Sequence, residues 1–541
     1  MAEYDFVIVG AGSSGCVLAN RLSADGRHKV LLLEAGPRDN YIWIHIPIGY
    51  GKTMFHQAYN WGFYTEPEAE MHGRKIYWPR GRGLGGSSSI NGLVFIRGQR
   101  DDYDHWAQLG NAGWDWNSVL PCFIKSEHNS RGASATHGGD GPLWSSDIRE
   151  KHELMEAIIR GAKELGVPYT SDFNSGDQEG VGYFQLFTRN GWRNSSAVAY
   201  LRPAKGRPNL SVETEAQATS LIMEGRRVAG VRFRQNGANR EVRAAREVIL
   251  SAGALQSPQL LQLSGIGPAS LLRRHGIEVA HELPGVGQNL QDHLQFRLMF
   301  RVSKPITTND DLRTLAGQAR IGLKWLLKGT GPLGIGINQG GLFTRVLPGS
   351  QTPDIQFHFG TLSADLAGGK PHDWSGCTFS VCQLRPESRG SVEIRSADPM
   401  QPPAMQPNYL TAEKDRLCAV ESIKYARRLA ATAALKPYIL GEYKPGDSVR
   451  SDSEILDFAR EYGATIFHPT GTCKMGSDPM AVTDARLRVH GIGGLRVVDC
   501  SIMPTLVSGN THAPAVMIAE KASDMILDDA KVDRSQPSRL Q

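Results

Sequence analysis

The sequence predicts a mixed α/β fold in which a nucleotide-binding domain is interleaved with a second domain built on an antiparallel sheet. Three observations carry this prediction. A strand, a glycine turn, a helix and a second strand open the chain. Segments that alternate apolar and polar residues fill its second half, and no Gly-rich or charged linker separates the parts. At 541 residues the chain is too long for one simple core, so two or three folding units are expected.

Residues 5–9 are a short apolar run leading into Gly10-Ala11-Gly12-Ser13-Ser14-Gly15. Cys16, Val17, Leu18, Ala19 and Leu22 then follow helical spacing, and Lys29 to Leu33 reads as a buried parallel strand ending at Glu34. This is a Rossmann-like unit. Gly10 allows the tight turn, Gly12 lets a pyrophosphate approach the backbone, and Gly15 permits close helix–strand packing. The helix N-terminus favours the anion, and Glu34 is placed to accept from ribose hydroxyls. The fingerprint does not separate a nicotinamide from a flavin dinucleotide.

Strand-like segments near 209–214, 228–235 and 246–251 predict a small antiparallel element returning to the sheet, with Asn236-Gly237 as a turn. Residues 354–359 and 391–395 alternate as half-buried strands do, which suggests an antiparallel sheet between about 300 and 460. Residues 311–328 mix Leu312, Leu315, Ile321, Trp325 and Leu326 with Arg313, Arg320, Lys324 and Lys328. A membrane-surface helix is one reading; a helix packing its apolar face on the domain is the favoured one. The polar tail after about Asp529 is expected to fray.

The composition is that of an ordinary globular protein, with 40% hydrophobic and 21% charged residues. A net charge of +5, without a Lys/Arg run, gives no reason to expect nucleic acid. Seven cysteines are scattered and lack metal-ligand spacing, which predicts reduced thiols and no metal site. No secretory signal and no run of ~18 apolar residues is present. The expected location is cytoplasmic, with peripheral attachment to the inner membrane left open.

Four further motifs follow in order: Gly81-Arg82-Gly83-Leu84-Gly85-Gly86-Ser87-Ser88-Ser89-Ile90-Asn91, then Gly253 to Gly267, His468-Pro469-Thr470-Gly471-Thr472, and Asn510-Thr511-His512-Ala513-Pro514. With the N-terminal fingerprint, this set resembles the glucose–methanol–choline (GMC) family of FAD-dependent oxidoreductases across nearly the whole chain. Bacterial alcohol, choline, sorbose and polyethylene glycol dehydrogenases of that family look most similar. The resemblance implies a discontinuous FAD-binding domain (1–155, 205–300 and 465–530), a substrate domain (156–204 and 301–464) and a flexible tail (531–541). Implied FAD contacts are Gly10, Gly12, Ser13, Ser14, Gly15, Glu34, Ala35, Arg82, Gly85, Gly86, Ser87, Asn91, Gly92, Leu93, Val94, Ala218, Ser251, Ala252, Gly253, Asp499, Cys500, Thr511 and His512. Some relatives bond the flavin covalently through a histidine where this chain has Ile90, so the FAD is expected to be non-covalent. At the position of Cys500 the family more often has alanine.

An alcohol that loses a hydride must also lose its hydroxyl proton, and a histidine titrating near neutrality suits that task. By the resemblance His468 is the base, His512 occupies the second catalytic position and hydrogen-bonds the substrate oxygen, and Phe467 walls the substrate pocket. Trp61 and Trp78 are either pocket or core residues. The expected reaction is oxidation of an alcohol to an aldehyde or ketone, a primary aliphatic or aromatic alcohol before choline, with hydride passing to flavin N5. Electrons would go to a quinone or similar carrier; a dioxygen-using oxidase and a non-redox lyase of the same fold are the alternatives.

Overall fold

The structure, a computed structural model, describes residues 3–366 and 368–535. Its first sheet grows from the N-terminal strand Glu3–Val9, whose β-branched core is fully buried. That strand pairs in parallel with Val30–Leu33 on one side and Ala238–Leu250 on the other. The helix Ser13–Leu22 between the first two strands packs Val17, Leu18 and Leu22 on the sheet. Gly15 makes this possible, because a Cβ there would lie 1.9 Å from the Gly10 carbonyl oxygen.

The long strand Ala238–Leu250 serves two pairings. Its first half meets Arg227–Gln235 in antiparallel register through the turn at Asn236 and Gly237, both at positive φ, as a type I′ hairpin requires. Its second half runs parallel to Glu3–Val9 and to Leu495–Val497. The hairpin is extended by Ala216–Glu224. The segment near 209–214 departs from its expected antiparallel role: Leu210–Glu213 is a parallel edge strand beside Val30–Leu33. It follows a short helical segment, Ala197 to Ala204, and crossover connections favour parallel pairing.

The second sheet is antiparallel, ordered Ile439–Lys444, Leu294–Val302, Gly376–Gln383, Ile355–Gly360, Asn338–Thr344 and Gly180–Tyr183. Phe296, Leu298, Phe357, Phe359, Phe379 and Val381 alternate onto one face and form the second core, against the helix Glu413–Ala430. The intervening residues are polar yet also buried. The strand at 354–359 is therefore covered on both faces rather than half-buried, because its polar face lies over a cavity. Ser391–Glu393 belongs to a separate two-stranded ribbon with Ala404–Gln406.

Two peripheral segments differ from expectation. The C-terminal helix His512–Ser535 continues past residue 529 instead of fraying, held by ion pairs from Arg486 and Arg496 to Asp529. Residues 536–541 of the expected tail lie outside the described residues. The helix Leu315–Lys328 buries only Gly317, Ile321 and Trp325, so its leucines do not pack on the domain as the favoured reading held.

Candidate active site

Two cavities meet where the sheets face each other, with ≈ 1160 and ≈ 1410 Å³ of non-atom space, solvent at the mouths included. They share Ser13, Arg80, Ser87, Cys500, Thr511 and Ala515 as lining and so adjoin each other at these residues.

The first cavity follows the carboxyl ends of the parallel strands, where such folds bind dinucleotides. Gly12 precedes a helix without a side-chain cap, and the nearest atom to an added Cβ would be 3.9 Å away; its Cα faces open cleft. Gly86 closes onto it, with a would-be Cβ only 2.7 Å from the Gly12 Cα and a φ of +51°. Two glycines are thus needed for two backbones to approach while leaving a polar cradle. Glu34 is buried, and burial raises its pKa against the N–H groups of Gly36, Ala11 and Gly83. These donate at 2.8, 2.9 and 2.9 Å, leaving about one of the carboxylate's four acceptor sites for a ligand hydroxyl.

The second cavity lies over the polar face of the antiparallel sheet. Arg297 pairs across to Ser380, and Ser380 to His358, so neighbouring strands set Gln295, Arg297, Thr378, Ser380 and His358 into one floor. His468 stands at its inner end. Its main-chain N–H donates to Asp292 at 2.7 Å, and Asp292 also accepts from the hydroxyls of Tyr409 and Thr465. Burial pushes this carboxyl up to about 6 despite those donors.

The protonation pattern of His468 follows from its neighbours. His293 Nε2 lies 2.9 Å from the Leu384 carbonyl oxygen, which can only accept, so that nitrogen carries the proton. Burial lowers His293 to about 4; it is neutral, and its Nδ1 is an acceptor. His468 Nδ1, 2.9 Å away, is therefore the donor. His468 is itself held well below the usual histidine range, first by burial and then by His293, His358 and Arg80. Its Nε2 thus carries the lone pair. It accepts from Asn510 Nδ2 at 3.2 Å, while Asn510 Oδ1 accepts from Gln356 at 3.1 Å. The site presents one unprotonated imidazole nitrogen beside an amide donor.

His512 is placed differently. Its Nδ1 lies 3.0 Å from Ser13 Oγ at the start of the first helix, and its ring meets Phe187 edge-on. Its Nε2 is buried without a partner, and burial, then Arg193, lowers it to about 3. Asn510, rather than His512, is the group bonded to His468.

Of the other residues singled out by sequence, Gly10, Gly12, Ser13, Ser14, Glu34, Ala35, Gly86, Ser87, Ala218, Ser251, Ala252, Gly253, Asp499, Cys500 and Thr511 line the first cavity. Asn91, Gly92, Leu93, Val94, Phe467, His468 and His512 line the second. Three stand behind the walls. Gly15 packs helix on strand, Gly85 turns at φ +89°, and Arg82 donates to the Ala35 carbonyl at 3.3 Å with its guanidinium over Trp61. Trp61 lines the first cavity, whereas Trp78 is core, donating to Tyr409 at 3.0 Å. Asn510, His293, Asp292, His358 and Arg297 were not singled out. Asn510 lay inside a quoted motif, but the others carry no local signal: His293 and His468 are distant in sequence and meet only through the fold.

Comparison with known proteins bears on the family and the fold. Models of the GMC oxidoreductase family match residues 4–295 and 386–519. Mitochondrial choline dehydrogenase of Mus musculus is 44% identical over 552 residues, covering 99% of this chain and 92% of that protein. An alcohol dehydrogenase [acceptor] of Pseudomonas putida is 42% identical over 539 residues, covering 98% of each. Among solved structures, a formate oxidase from Aspergillus oryzae, studied for its FAD modification, superposes with a TM-score of 0.92 at 28% identity, covering 98% of this chain and 99% of that one.

Proposed function

Because the chain belongs to the GMC oxidoreductase family, an oxidoreductase family acting on CH–OH donors, we propose that it uses FAD to oxidise an uncharged primary alcohol to its aldehyde. The observation that carries this reading is the lone pair on His468 Nε2, facing the second cavity beside Asn510.

The residues of the cleft fit FAD. Gly12 and Gly86 leave a backbone cradle suited to a pyrophosphate. Glu34 keeps an acceptor site for a ribose hydroxyl, and the orphaned Nε2 of His512 offers a polar atom where the two cavities join. Ile90 lines the second cavity and has no nucleophile, so FAD is held without a covalent bond there. When bound, FAD supplies the two-electron acceptor for the carbinol hydrogen.

The substrate hydroxyl takes the position beside His468 and Asn510. His468 Nε2 accepts its proton as the carbinol C–H leaves with its electron pair, and the carbonyl product results. Asn510 Nδ2 donates to the substrate oxygen and stabilises the negative charge that develops on it. His293 holds the His468 proton on Nδ1, so that the other nitrogen stays unprotonated. Phe467 and Ile466 help exclude water from this end of the cavity.

The cavity also bears on substrate. Among the described residues no Asp or Glu lines it, and its charged lining groups are the guanidinium side chains of Arg80 and Arg297. Its aromatic lining is Tyr50 and Phe467. A quaternary ammonium is bound by aromatic faces with negative charge nearby, so this lining favours an uncharged alcohol over choline. A carrier other than dioxygen is the proposed electron acceptor, in keeping with the similarity to the Pseudomonas protein.

The test is anaerobic titration of the flavin absorbance with primary alcohols and with choline, for the wild type and for His468→Ala. Alcohols should bleach the wild type at lower concentration than choline, with slow recovery in air. His468→Ala should retain FAD and be reduced on the order of 100-fold or more slowly, the scale of general-base catalysis. Full-rate reduction of the variant would remove His468 from the role.

A further inference from the structure

The helix Leu315–Lys328 presents an apolar face that nothing in the fold covers. Leu315, Leu323, Leu326 and Leu327 are 84, 58, 71 and 73% exposed, far from what an isolated leucine on a domain-packed helix would show. At about 100° per residue these four share one arc of the helix, roughly opposite the arc of Gly317, Ile321 and Trp325 that seals it to the protein. Arg320 and Lys324 border the leucine face on one side, Lys328 lies further round at the C-terminal end, and the helix contains no acidic residue. Arg320 pairs with Asp311 and Lys324 with Glu150, while Lys328 makes no ion pair among the described residues. Trp192, 42% exposed, lies against Trp325 at 4.5 Å between ring centroids, where an amphipathic ring suits a water–lipid boundary.

From these features we propose that Leu315–Lys328 is a docking helix that lies in the surface of a membrane containing anionic lipids. The shape selects this occupant. The apolar residues stand on a single convex helix rather than in a groove, which offers a protein partner little area to cover but lets leucines sink between head groups. The bordering basic residues sit at the depth where phosphates would meet them. No helix among the described residues is long and apolar enough to cross a bilayer, so the contact is one of surface attachment.

The docking face adjoins the substrate cavity. The helix packs on Pro332–Ile335, which packs on Pro47–Gly49, next to Tyr50 of the cavity wall. Leu366, which also lines that cavity, is 70% exposed. Attachment would bring the cavity mouth close to the lipid surface. The inference does not depend on the proposed reaction, since it concerns binding alone.

The test is co-sedimentation of the full chain with phosphatidylglycerol vesicles and with phosphatidylcholine vesicles, at low and high salt. Binding should favour phosphatidylglycerol and weaken with salt. It should fall about tenfold or more in a variant carrying Leu315→Ser, Leu323→Ser, Leu326→Ser and Leu327→Ser. Because those side chains are exposed, the variant should keep the wild-type melting temperature and its flavin. Brominated lipids should quench tryptophan fluorescence in the wild type and less in Trp192→Phe. Absence of vesicle binding, or binding unchanged by the serines, would overturn the proposal. So would a concentration-dependent dimer that the serines abolish without any vesicle binding, which would assign the face to a second copy of the chain.

Discussion

Replacing His293 should slow the reaction even though His293 does not line the cavity. In the wild type, the His468 Nδ1–H donates to His293 Nδ1 at 2.9 Å, and the relay ends on the Leu384 carbonyl. His293→Met removes the acceptor and leaves a buried N–H unpaired, at a cost of about 1–3 kcal/mol. The His468 ring can avoid that cost by moving its proton to Nε2, which abolishes the basic lone pair where the substrate sits. The reactive tautomer is thus disfavoured by the same 1–3 kcal/mol, which lowers the rate of flavin reduction by roughly 5- to 150-fold at 1.36 kcal/mol per factor of ten. His293→Gln offers an amide oxygen in place of the imidazole nitrogen and should recover part of the loss.

The assay is single-turnover flavin reduction by a primary alcohol without oxygen, followed from acidic to alkaline pH. A base must be unprotonated to act, and His468 is held well below the usual histidine range. The wild-type rate should therefore be flat through neutral pH and fall only at pH well below 6.5. His293, once it is itself protonated near pH 4, is one of the groups that lowers the His468 pKa; without it the pKa rises, and the acid limb of the variant should move to higher pH. A purely structural role for His293 would reduce flavin content or stability without moving that limb. A variant reduced within about twofold of the wild-type rate, with an unmoved pH profile, would refute the relay.

Asn510→Ala should slow flavin reduction on the order of 100-fold, as loss of a donor to a developing oxyanion does, while His512→Ala should lose FAD more readily and change the reduction rate of the bound fraction less than about tenfold. Rapid-mixing rates and the flavin-to-protein ratio separate the two. Gly12 has extended backbone, with φ −75°, and open space where a Cβ would go. Gly12→Val should therefore fold with the melting temperature of the wild-type apoprotein, yet be colourless, binding FAD about 100-fold more weakly or worse, by calorimetry; its bulk occupies the space of the pyrophosphate.

The parts of the fold visible in the sequence are those whose physics is local. A glycine turn between a β-branched run and a helix needs no distant partner to be recognised, and the same holds for the Asn236-Gly237 hairpin. What the sequence hides is pairing at a distance. Leu210–Glu213 looks like one more strand of a hairpin series, and only the sheet edge left open by Val30–Leu33 makes it parallel. His512 and Asn510 stand two residues apart in one motif, but the C-terminal helix begins between them. One side chain then falls towards Ser13 and the other towards His468. Periodicity marked 311–328 as one amphipathic segment, which the structure breaks at the extended Thr314 into Thr308–Arg313 and Leu315–Lys328, and it gave the apolar residues without saying which of them would meet the protein.

The position of His468 also explains why its segment carries strain. Thr470 exchanges hydrogen bonds with Gln291, and Ile466 N–H donates to the His293 carbonyl, both leading to the antiparallel sheet. Gly471 N–H donates to the Cys500 carbonyl, and Thr472 Oγ1 to the Ala254 carbonyl, both on the nucleotide side. The segment is therefore tied on both sides, and the chain turns sharply between these ties. Phe467 absorbs that turn at φ +73°, a conformation costing a bulky residue about 1–3 kcal/mol. Arg80 holds its carbonyl at 2.8 Å and Thr465 Oγ1 accepts from its N–H at 2.7 Å. Asp292, bonded to both Thr465 and the His468 N–H, joins the clamp. A relaxed backbone would swing the imidazole away from Asn510, so the strain and the clamp that maintains it are what fix the lone pair in the cavity.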